Sequence, residues 1–103
     1  MAEYDPTDIE ANAWAARQSE DREKALTSQW ESDIQWLMGG KRGRRVVFKV
    51  LDDAGVFRTT FNANALWMAF NEGKRNVGLT LIDAINSVCP ETYQIMLQER
   101  GEI

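Results

Sequence analysis

Val77, Leu81, Ala84, Ile85 and Val88 stand at spacings of 0, 4, 7, 8 and 11, and Pro90 follows two residues later. An apolar residue every three to four positions lines one face of a helix. The proline ends that helix, because the residue before it avoids helical geometry. Pro90 also suits the first turn of a further helix, where a missing N–H costs nothing. Tyr93, Met96 and Leu97 would then form that helix's buried face. Two amphipathic helices joined by a single residue must bury their stripes against other elements, and this constrains the rest of the chain most strongly. Gly73 and Gly78 each cost a helix interior about 1 kcal/mol relative to Ala. The helix is therefore expected to break near one of them, or to meet a close neighbour there.

The remaining patterns are also helical. Ser28 begins a Ser-x-x-Glu capping box with Glu31. Trp30, Ile34 and Leu37 follow on one stripe, and Gly39-Gly40 stops it. Trp30 is expected in the core. Val47, Val50, Leu51 and Ala54 make the next stripe, with Gly55 at the C-terminal cap. The β-branched residues there allow a strand, but Val46, Val47 and Phe48 are consecutive and break alternation. Val56–Phe61 reads as a connection, and Asn62 or Asn64 as the cap of a helix through Leu66, Trp67 and Phe70. Residues 1–27 form a polar helix, capped by Asp5-Pro6 or Thr7, with only Ile9, Ala13, Ala16 and Trp14 as apolar content. Such a helix is marginal alone. The fold class expected is all-α: an acidic helical arm at 1–27 and a compact bundle at 28–103, about four to five helices in all.

Composition narrows the chemistry. The 103 residues contain no His and one Cys. Imidazole general bases, imidazole metal ligands and His-dependent triads are excluded. So are an intrachain disulfide and a thiolate zinc site. Cys89 reads as a small buried filler. Asp52 and Asp53 are adjacent, so on a helix they point about 100° apart and do not converge. The chain is expected not to be an enzyme, with no cofactor and no metal. No apolar run reaches the roughly 18 residues of a membrane span. The acidic opening MAEYDPTDIE is unlike a secretory signal, so a cytoplasm, or a particle assembled in one, is the expected location.

Charge is unevenly placed. Residues 1–27 hold seven acids against three bases, whereas Lys41, Arg42, Arg44, Arg45 and Lys49 stand in 41–50 without an acid. An acidic total argues against broad nucleic-acid binding, which needs a basic face. A local block still grips a few phosphates or an acidic protein. Lys41, Arg42, Arg44 and Arg45, at the start of a helix, are therefore candidate anion- or partner-binding residues. Gly43 lends that run flexibility. Arg58, Lys74 and Arg75 are further candidates for the same surface. Replacing Arg44 and Arg45 by Glu is expected to spare the fold and abolish assembly. A helix–turn–helix is disfavoured, because the connection after Gly55 is too long. Four Trp cannot all be buried in so small a core. Trp14 and Trp36 are the candidate interface residues, since an exposed Trp favours interfaces.

Five segments in order carry a resemblance: Ile34-Gln35-Trp36-Leu37-Met38, Lys41-Arg42-Gly43-Arg44-Arg45, Ala54-Gly55-Val56-Phe57-Arg58, Phe70 to Gly78, and Cys89-Pro90-Glu91. Together they resemble a family of small proteins of short-tailed bacteriophages, typified by one from a Bordetella phage. The likeness covers about residues 33–100 and leaves out the acidic arm. It implies a virion or assembly role rather than an enzyme, and leaves the shell, the head–tail joint and an internal, ejection-associated core open. The leading expectation is a virion structural or internal (head–tail or ejection-associated) protein present in multiple copies. Its implied partners are other virion proteins (portal, tail or capsid) and DNA phosphates. Its implied location is the virion, and the host cytoplasm during assembly. The alternative is a small non-virion phage protein that binds and regulates a host or phage factor.

Overall fold

A computed structural model describes residues 7–101. They form four helices in the order α1 (Ile9–Gly39), α2 (Lys41–Asp53), α3 (Ala65–Val88) and α4 (Pro90–Gly101). No strand occurs among the described residues, so the chain is all-α.

Residue contacts divide the chain into two units, Met1–Trp30 and Glu31–Ile103. The first unit is helical from Ile9 onward and nearly all of its described side chains are exposed. Asp8 caps it, its Oδ1 accepting the Ala11 amide at 3.0 Å. Thus Asp8, rather than Thr7, supplies this cap bond, and the Asp5-Pro6 alternative lies outside the described residues. The expected break at Ser28 does not exist. Ser28 and Glu31 sit inside one 31-residue helix, so the Ser-x-x-Glu sequence has no free helix end to cap.

In the second unit, α2, α3 and α4 pack against one another. The core joins Ile34 and Met38 of α1, Val47 and Leu51 of α2, Ile85 of α3, Met96 of α4 and the capping residue Cys89. Tyr93 and Leu97 pack against it as half-buried neighbours, and Cys89 is the buried filler its sequence context predicts. The stripes overreach the cover, however. Val50 and Val77 lie on predicted stripes yet are exposed, and so is Trp30, at 52%. The core begins at Ile34, one turn beyond Trp30.

Local chemistry accounts for the ends of the elements. The Asn64 side chain accepts from the Leu66 and Trp67 amides at 2.9 and 3.2 Å, capping α3. α2 ends at the Ala54 cap, and Gly55 turns the chain with φ +82°. α3 runs unbroken through both of its glycines. At Gly78 the reason is a close approach: a Cβ there would strike Val56 Cγ2 and lie 3.1 Å from the Ala54 Cβ. Gly73, by contrast, faces open space. Gly43 is also a packing position rather than a flexible one, because a Cβ there would collide with the Leu37 carbonyl oxygen. The glycine of the basic run lets α2 start tight against the end of α1.

Candidate functional site

The basic run does not stay together. Arg44 falls three residues before Val47 and seven before Leu51, so it shares their buried face. Its Nε donates to Glu99 Oε1 of α4 at 2.5 Å, and its Nη1 donates to the Met38 carbonyl at 2.9 Å. Both side chains of the ion pair are more than four-fifths buried. Arg44 is thereby a clamp holding α2 to α4 and to the end of α1. This corrects the expectation that Arg44→Glu spares the fold: it would set a carboxylate against Glu99 with no cation between them.

Lys41 and Arg45 remain on the outside of the same face and are exposed. With Arg44 they line a surface hollow of about 460 Å³, together with Phe48, Met96, Glu99 and Arg100. Arg100 is the member that charge clustering alone missed. Its guanidinium lies 4.7 Å from the Phe48 ring centroid and 5.5 Å from that of Phe57. Those two rings stack on each other at 5.2 Å with planes 13° apart. A guanidinium held over aromatic faces keeps its charge and its N–H edge available for a planar anion. The signal was present in sequence, since Arg100 follows Met96 by four residues on α4. The hollow thus offers three cations beyond the clamped one, an aromatic wall and one carboxylate, and that carboxylate is engaged by Arg44.

Arg58 and Lys74 meet elsewhere. They line a second, smaller hollow with Asp53, Asn71, Thr59 and Thr60. Arg58 also donates to the Asp52 carbonyl at 2.5 Å, satisfying an acceptor near the end of α2. Thr60 donates to Glu72 and so ties this segment to α3. Arg42 lies in the first turn of α2, exposed, and Arg75 is half-buried on α3. Neither lines the two hollows. Five of the seven predicted cations therefore fall into two separate groups rather than one surface, and Arg42 and Arg75 join neither.

All four tryptophans are largely exposed: Trp14 by 57%, Trp36 by 81%, and Trp30 and Trp67 by more than half. Trp36 stands on α1 between the buried Ile34 and Met38, on the side turned away from them. Among the described residues no three Cys, Asp or Glu side chains gather in a metal-binding group. No described helix is long and apolar enough to cross a membrane.

No match is found among the curated proteins or among the solved structures. A family pattern does match, that of the Bbp19-like phage protein, over residues 34–98. The match opens on Ile34, the first core residue of α1, and closes on α4, spanning every element of the core. More than half of the chain is covered, and the chain belongs to the Bbp19-like phage protein family.

Proposed function

We propose that this protein is a non-enzymatic component of the phage particle, structural or internal, present in several copies and held by its neighbours. The observation that carries this reading is the exposure of all four tryptophans. A monomer that works alone gains nothing from four indole rings in water, whereas an assembly component covers them. Membership of a phage protein family supports the setting. In this reading Trp14 and Trp36 pack on adjacent virion proteins of the portal, tail or capsid. The hollow of Lys41, Arg45 and Arg100 takes an acidic face of such a protein or the phosphates of packaged DNA. The second reading, a non-virion phage protein that binds and regulates a host or phage factor, draws on the acidity of residues 1–27, which resembles the charge of a nucleic acid.

Mass spectrometry of purified particles, before and after DNA release, separates these. Presence in fixed stoichiometry supports the particle role. Retention after release assigns the protein to the shell or the head–tail joint, and loss with the DNA makes it an ejected internal protein. Absence from the particle overturns the proposal in favour of the regulator.

A further inference from the structure

The apolar stripe of α3 is covered for only half of its length. Gly78 and Ile85 are buried and Leu81 and Val88 half-buried. On the same helical face, one to four turns earlier, Leu66, Phe70 and Val77 are exposed by 57 to 82%. Trp67 flanks them and meets Phe70 edge-on at 5.9 Å. Phe61, in the preceding segment, is also exposed. One charge stands in this stripe: Lys74, whose Nζ lies 5.5 Å from the Phe70 ring centroid. Fully covered aromatic rings bury about 150–250 Å² each. Trp67, Phe70 and Phe61 still expose 57 to 78% of their surface, so with Leu66 and Val77 they contribute a substantial share of the about 800 Å² that each partner gives to a stable interface.

The chain carries a complementary stripe elsewhere. On α1, Trp30, Leu26 and Glu23 recur at helical spacing, and Trp30 and Leu26 are both more than half exposed. Trp67, Phe70 and Lys74 run forward over seven residues; Trp30, Leu26 and Glu23 run backward over seven. Seven residues are about two turns and roughly 10 Å of helix. Laid antiparallel, the two stripes set tryptophan beside tryptophan, Leu26 against Phe70, and Glu23 against Lys74.

We propose that residues 23–30 of a second copy of this chain dock on the uncovered half of α3, with Glu23 of one copy paired to Lys74 of the other. This rests on the multi-copy reading above and names the surface that joins the copies.

Sedimentation velocity of the full chain, over a concentration series, tests it with charge exchange. Glu23→Lys and Lys74→Glu are each expected to weaken self-association roughly tenfold, because each sets like charges together. The double variant Glu23→Lys/Lys74→Glu should recover most of that loss. Both positions are exposed, and far-UV circular dichroism checks that the helices persist. A full chain that stays monomeric at its highest soluble concentration overturns the proposal. So does self-association that Lys74→Glu weakens and Glu23→Lys does not, since α3 then meets another surface. A monomer found in particles defeats this docking alone. An oligomer absent from particles defeats the particle role and leaves the docking standing.

Discussion

Arg44 and Glu99 are 55 residues apart in sequence and 2.5 Å apart in space. The pair joins α2 to α4, and the same guanidinium also satisfies the Met38 carbonyl at the end of α1. Hydrogen bonds to charged groups contribute about 1.5–3 kcal/mol each when their loss strands a partner. Arg44→Met is therefore expected to lower stability by at least about 2 kcal/mol in urea denaturation. Arg45→Ala, one residue along and exposed, should stay within about 0.5 kcal/mol of the parent. Equal effects at the two positions would refute the clamp.

The two glycines of α3 should respond in opposite directions. Gly78→Ala forces a methyl group into Val56 and Ala54, and overpacking of that kind costs about 1–3 kcal/mol. Gly73→Ala meets nothing and removes backbone freedom from the unfolded chain, so it should stabilise by about 0.5–1 kcal/mol. Thermal melts of the two single variants, moving apart from the parent, check both signs.

Asn64→Ala should cost about 1 kcal/mol, the usual loss for an N-cap that bonds the first-turn amides. Asn64→Asp keeps the acceptor and should lose much less. Chemical denaturation of the pair distinguishes a cap from a generic surface change.

Much of this architecture was readable because it is local. Pro90, Asn64 and Gly55 act on their immediate neighbours, and each does in the fold what its chemistry implies. Cys89 and Met96 follow from spacing against Pro90. The failures share one cause: periodicity shows which face of a helix is apolar but not how far along or around it a neighbour reaches. Trp30 and Val77 lie on valid stripes whose cover stops short of them, whereas Val50 stands between the buried Val47 and Leu51 along α2 but about 100° around the helix from Leu51, beyond the edge of the cover. Arg44 shows the converse. Adjacency groups it with Lys41, Arg42 and Arg45, although its spacing to Val47 and Leu51 puts it on the inner face. Arg58 and Lys74 come together only through the turn after α2, which no pattern within either segment reveals.

The exposed indoles give an optical signature. Steady-state fluorescence of the isolated protein should peak near the emission of indole in water and quench readily with acrylamide. Association that covers Trp30 and Trp67 should shift the emission to the blue and protect part of it. A blue-shifted, protected spectrum in a proven monomer would contradict the exposures on which the docking surfaces depend.

Charge reversal at the hollow should separate function from folding. The double variant Lys41→Glu/Arg45→Glu alters exposed side chains only, so its melting temperature should stay close to the parent's. Its incorporation into particles should fall at low salt, and the gap from the parent should narrow as salt is raised, because screening weakens the attraction and the new repulsion alike. Unchanged incorporation would remove the hollow from the assembly surface.

The continuity of α1 from Ile9 to Gly39 has a consequence for how its outer part becomes ordered. Starting a helix is the costly step, and extending one is nearly free. Ile34 and Met38, fixed in the core, supply that nucleus when the bundle folds. The segment before Trp30 then only has to propagate outward, turn by turn, from an end already held. On the proposed docking surface it would arrive as a preformed helix, with the ordering entropy that a disordered tail would lose on docking largely spent beforehand.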